Sequence, residues 1–73
     1  MSSILTQAMI FEKYGPRLSA TQLAEVIGIK PTTLYNQISA RTCAVKTYVD
    51  QGKRWADYRD VAQHFDDLRA TAE

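Results

Sequence analysis

Seventy-three residues, 45% of them hydrophobic and only two proline, describe one small folded domain with a modest core, not a disordered chain. No apolar run approaches the roughly 20 residues of a membrane span, and Met-Ser-Ser-Ile-Leu-Thr-Gln lacks the basic region of a secretory signal. A net charge of +1, one cysteine and one histidine rule out a disulfide framework and a structural zinc site. Paired catalytic carboxylates, a Ser/His/Asp arrangement and a glycine-rich phosphate loop are not found, so an enzyme is not expected. No cofactor or metal is implied. The expectation is a cytoplasmic chain of bacterial or viral style.

Ser2 or Ser3 is placed to cap a first helix reaching about Lys13. Ile4, Leu5, Ala8 and Met9, with Phe11 as a further candidate, form its apolar side. Gly15-Pro16 ends it, because proline cannot continue the hydrogen-bond ladder. Leu18 then reads as a hydrophobic staple, Ser19 as an N-cap and Gln22 as its capping-box partner. Leu23, Val26 and Ile27 give the second helix a buried stripe, and Ala24 is small where the next helix must cross. Gly28 suits the left-handed backbone of a sharp close. Lys30-Pro31 opens a third helix with proline at its first position, where the missing N–H costs nothing. Leu34 and Ile38 fix its inner face. Residues 19–39 thus have the helix-turn-helix layout.

Ala44-Val-Lys-Thr-Tyr-Val49 alternates and is rich in β-branched and aromatic residues, so it predicts a strand. Asp50-Gln-Gly-Lys53 predicts a turn, and Arg54-Trp-Ala56 a returning strand, giving a wing over 44–56. With Gln51-Gly52 central, Tyr48 faces Trp55; a one-residue slip swaps the faces, and both registers stay open. Asp57 caps a closing helix over 57–70, with Tyr58, Val61, Phe65 and Leu68 inward and Asp60, Asp66 and Asp67 in water. Cys43 is expected as a small buried hydrophobe and His64 as a solvated or capping residue. The expected fold is mainly α with a small β-hairpin: a single winged helix-turn-helix domain of three helices, a two-stranded wing and a closing helix.

Charge is unevenly distributed along this plan. Residues 30–54 hold Lys30, Arg41, Lys46, Lys53 and Arg54 against Asp50 alone, a local charge of +4. Residues 55–73 hold Arg59 and Arg69 against Asp57, Asp60, Asp66, Asp67 and Glu73, a local charge of −3. A polyanion is drawn to the middle and repelled by the tail. On the third helix Thr32, Thr33, Asn36 and Gln37 are candidates for reading base edges, Asn or Gln to adenine being the best-suited geometry. Lys30, Pro31 and Tyr35 complete that surface, with the tyrosine ring against the core and its hydroxyl toward a phosphate. Arg41, Lys46, Lys53 and Arg54 are the expected backbone contacts. Trp55 reads as a structural pin of the wing. The competing account of helix three is an ordinary amphipathic helix with a neutral polar surface.

Leu18 to Ile38, the Gly52-Lys-Arg-Trp55 hairpin and the Tyr58-Arg-Asp-Val61 helix start together resemble the small MerR-like winged-helix proteins of phages and plasmids. These are the excisionases, or recombination directionality factors, and the AlpA-type regulators. The resemblance covers roughly residues 18–68. Family members have a glycine, and often a proline, between recognition helix and wing, where this chain reads Ser39-Ala-Arg-Thr-Cys-Ala44. The resemblance implies double-stranded DNA as partner, cooperative or homo-oligomeric assembly on tandem sites, DNA bending and help to a phage integrase in excising a prophage. It also implies transcription regulation. A dedicated phage or plasmid regulator without a recombination role is the alternative, and a protein-interaction module the third reading.

Overall fold

A computed structural model describes residues 4–72. In chain order it contains α1 (Ile4–Tyr14), β1 (Arg17–Ser19), α2 (Ala20–Ile27), α3 (Pro31–Ser39), β2 (Tyr48–Asp50), β3 (Lys53–Asp57) and α4 (Tyr58–Ala70). The domain is a small mixed α/β unit whose three strands form an antiparallel sheet in the order β1-β3-β2. The expected cap at Ser2 or Ser3 lies outside the described residues.

Local chemistry sets most element ends. Ser19 accepts from the Gln22 N–H at 3.2 Å while the Gln22 side chain accepts from the Ser19 N–H at 3.0 Å, a reciprocal capping box. Gly28 closes α2 at φ 81°, a left-handed backbone that glycine adopts without steric cost. Pro31 sits in the first turn of α3 behind Lys30. The Asp57 carboxylate caps α4 by accepting from the Arg59 N–H at 2.8 Å.

Two expectations about strands are corrected. The sheet has three strands, because Arg17–Ser19 pairs with β3 and sets Leu18 opposite Ala56. Both residues are fully buried, so this non-local pair forms the floor of the core. The first strand of the hairpin is also shorter than 44–49. Only Tyr48–Asp50 is strand, since the chain leaves the ladder before Tyr48 and buries Val45 in the core from an irregular segment. The open register resolves with Tyr48 opposite Trp55. Gln51 and Gly52 both have positive φ, 52° and 77°, as a two-residue turn matched to strand twist requires.

The core gathers Leu18, Leu23, Ala24, Leu34, Ala56 and Val61 at its centre. Here α1 departs from expectation. Ile4, Leu5, Ala8, Met9 and Phe11 are all exposed, and Ile10 is the buried residue of the helix, with Tyr14 packed beside it. The apposition of α1 to α4 selects this face. The Phe11 and Tyr58 rings meet edge to face at 5.0 Å, and the Thr6 hydroxyl donates to Asp66 on α4 at 3.3 Å. On α4, Val61 and Ala62 are buried and Tyr58 and Phe65 half-buried, but Leu68 is exposed because the last turn runs past the core. Asp60 and Asp66 are half-buried, not fully in water as expected. Val26, Ile27, Ile38 and Cys43 are half-buried at the core edge.

Candidate nucleic-acid interface

The nine residues of α3 hang on one fully buried side chain, Leu34, packed against α2. With Ile38 half-buried at the core edge one turn later, the helix is held along one side and its opposite face stays open. Lys30, Pro31, Thr32, Thr33, Tyr35 and Asn36 are exposed, and Gln37 is half-buried. The amide and hydroxyl groups of Thr32, Thr33 and Asn36 therefore stand on an open surface about 13 Å long.

The C-terminal half of α3 faces the hairpin across an open cleft of about 650 Å³. Tyr35, Ile38 and Ser39 form one wall, Val49, Gly52, Lys53 and Arg54 the other, and the capped start of α2 (Ser19 to Thr21) the end. A second cleft of about 370 Å³ lies on the far side of Arg54, where Arg41, Lys46 and Arg54 meet with Cys43 and Thr47. Ile38 and Arg54 belong to both clefts and form the ridge between them. Tyr35, Arg41, Lys46, Lys53 and Arg54 are thus brought together. Lys30, Pro31, Thr32, Thr33, Asn36 and Gln37 lie outside both clefts, toward the other end and open face of α3.

The approach to the hairpin turns on Arg41, just past the end of α3. Arg41 adopts φ 59°, the left-handed conformation that glycine ordinarily supplies. Its N–H donates to the Ile38 carbonyl at 3.1 Å, and the Thr42 N–H reaches the Gln37 carbonyl at 2.9 Å. That pair of bonds is a Schellman closure of α3, made with arginine at the strained position.

Electrostatics sharpen the basic face. Asp50, the one acid of residues 30–54, is taken up by Arg17, whose Nη1 donates to its carboxylate at 2.7 Å. That hydrogen bond, followed by one to Tyr48, raises the Arg17 pKa above its ordinary value. The same guanidinium stacks on Trp55 at 3.8 Å from the ring centre, and Trp55 Nε1 donates to the Asp50 carbonyl at 3.3 Å. Arg54 donates to the Thr47 hydroxyl at 3.0 Å, which fixes its direction without neutralising it. Among the described residues, Lys30, Arg41, Lys46, Lys53 and Arg54 form no ion pair with a carboxylate. At the cap of α4, by contrast, Asp57 is held below the ordinary carboxylate range, first by the Arg59 side chain and then by its backbone N–H.

Sequence reasoning missed Arg17, the residue that neutralises Asp50 and backs Trp55. Its role follows from pairing across the sheet, for which no local signal exists. It also missed Thr21, Ser39 and Val49 as cleft walls. Among the described residues no three His, Cys, Asp or Glu side chains gather where a metal ion would be held. No helix of the described residues is long and apolar enough to cross a membrane. Compared with known proteins, the chain matches no family model, no curated protein and no solved structure.

Proposed function

We propose that this domain is a winged helix-turn-helix protein that binds double-stranded DNA in the cytoplasm, with α2 and α3 as the helix-turn-helix and β2–β3 as the wing. The observation that carries the reading is the exposed row of neutral amides and hydroxyls on α3, bracketed by five cations that have no carboxylate partner among the described residues. Neutral donor–acceptor groups suit base edges in the major groove, and unpaired cations suit phosphates. Lys30 grips the backbone at one end of α3. Arg41, Lys46, Lys53 and Arg54 do so at the other, and Tyr35 points its hydroxyl along the same track. Thr32, Thr33, Asn36 and Gln37 read bases.

One module of this size buries only about 600–1,000 Å² on DNA, too little for tight and selective binding alone. Cooperative occupation of tandem sites follows. With the resemblance to excisionases, this favours a protein that bends attachment-site DNA beside an integrase and regulates a nearby promoter. Bending such a site costs on the order of 1–6 kcal/mol, which neighbouring copies share.

The test is a mobility-shift titration on attachment-site and promoter DNA over rising salt. Four to five phosphate contacts weaken binding roughly 10²–10³-fold between 50 and 200 mM salt. Permuted-site fragments measure the bend. Affinity indifferent to salt would point to a protein partner. Binding at promoters alone, without bending, would leave a dedicated regulator.

A further inference from the structure

Among the described residues, the outer face of α1 is an exposed apolar surface. Ile4, Leu5, Met9 and Phe11 expose 85, 69, 63 and 47% of their surface, and Ala8 is exposed between them. Ile4, Ala8 and Phe11 line one shallow groove with Gln7, Glu12 and Tyr58. We propose that this face pairs with the same face of a second copy, α1 against α1, antiparallel about a two-fold axis at Ala8.

Three features specify a second copy as the occupant. The first is symmetry of shape: Ala8 is the small residue near the middle of the helix, with bulky apolar residues on both sides. Two such helices approach closely at Ala8 and interlock their larger side chains to either side, as an isologous contact demands. Charge is the second. The first turn of α1 holds no acidic residue, while Glu12 stands on the groove two turns later. Antiparallel pairing about Ala8 sets each Glu12 over the Ile4 end of the other helix, where the helix dipole favours an anion.

Area is the third. At roughly 150–200 Å² for a fully exposed large side chain, the four exposures together offer on the order of 450 Å². Pairing two copies removes at most about twice that from water, just under the floor of about 1,000 Å² for a stable specific interface. A weak, reversible dimer results. The face shares no residue with either cleft beside α3, so pairing leaves both reading surfaces free. The pairing rests on α1 and not on the DNA reading.

Sedimentation velocity without DNA, from micromolar to millimolar protein, tests it. The weight-average mass of the wild-type chain should rise from 8.3 kDa toward twice that value. Ala8→Glu, at an exposed helical position, should keep the circular dichroism spectrum and stay monomeric throughout. In a Cys43→Ser background, Ala8→Cys should form an intermolecular disulfide roughly ten-fold faster than Ala70→Cys, through the high effective concentration at the axis. A wild-type chain monomeric to millimolar concentration overturns the proposal, as does an Ala8→Glu chain that dimerises like the wild type. DNA binding measured separately is untouched by either result.

Discussion

The guanidinium of Arg17 lies 3.8 Å from the centre of the Trp55 ring, sandwiching the hairpin to the strand that precedes α2. The same group holds the Asp50 carboxylate, and Asp50 is the cross-strand partner of Lys53. Arg17 therefore sets both the position of the hairpin and its charge. Arg17→Ala frees a carboxylate directly beside Lys53, so on the proposed DNA reading affinity for all sequences should fall although Arg17 is not one of the proposed phosphate contacts. Trp55 is the only tryptophan, so its fluorescence reports the change. The emission should shift to the red and become easier to quench with acrylamide. Arg17→Lys keeps the ion pair and should recover affinity more than the tryptophan signal. Unchanged emission in Arg17→Ala would remove the stack from the account.

Arg41 supplies a second relationship between stability and function. An arginine at φ 59° costs about 1 kcal/mol relative to a residue without a Cβ. Arg41→Gly should therefore raise stability by about 0.5–1 kcal/mol, or several degrees in Tm for a domain of this size. If the side chain is kept for phosphate, the same change should lower DNA affinity and flatten the salt dependence by about one contact. A gain in Tm with unaltered binding would assign Arg41 no contact.

What the residues disclosed in advance is what short-range chemistry decides. Ser19 with Gln22, Gly28, Pro31, the Gln51-Gly52 turn and the Asp57 cap each act within a few residues, so their type and spacing reveal them. The side of α1 that turns inward does not follow from α1, which has two apolar arcs. The arc with Ile10 and Tyr14 wins because Phe11 and Thr6 meet Tyr58 and Asp66 on α4, more than forty residues away. β1 was hidden for the same reason: three residues show no alternation, and their partner is β3. On the candidate site, the polar row of α3 and the basic hairpin were legible. The Arg17–Asp50–Trp55 arrangement was not, since it joins elements distant in the chain.

Asp57 gives the domain an acid-sensitive joint. Its carboxylate accepts from the Arg59 side chain and the Arg59 N–H, and both lower its pKa from the ordinary 3.8. A depressed carboxylate contributes stability in full above its unfolded pKa and loses it as pH falls through the lower folded value. Asp57→Ala should cost about 1 kcal/mol at neutral pH as a lost N-cap. Thermal unfolding of both chains should show the difference in Tm closing as pH drops below 3.8. A gap constant down to pH 2 would contradict the assignment.

Leu34 and Leu68 test the corrected core. Leu34→Ala empties the buried anchor of α3 and should cost about 2–5 kcal/mol, a large share of what so small a domain has. Leu68→Ala removes an exposed side chain and should stay within about 0.5 kcal/mol of wild type in a urea titration. Equal losses would mean that α4 is buried to its last turn.

The division of labour on the interface is the most direct test of the proposed DNA reading. Asn36 stands on the open face of α3, whereas Lys53 and Arg54 project from the hairpin. A side chain reading a base matters only on the cognate site, so Asn36→Ala should weaken cognate binding by about 1–3 kcal/mol and leave random DNA unaffected. Charges on phosphates act on every sequence, so Lys53→Ala with Arg54→Ala should weaken both and reduce the slope of log affinity against log salt by about two. Competition binding with cognate and random duplexes at several salt concentrations measures both effects together. Were Asn36→Ala to lower the two affinities alike, α3 would be gripping backbone and the bases would be read from another element, the β2–β3 hairpin being the nearest candidate.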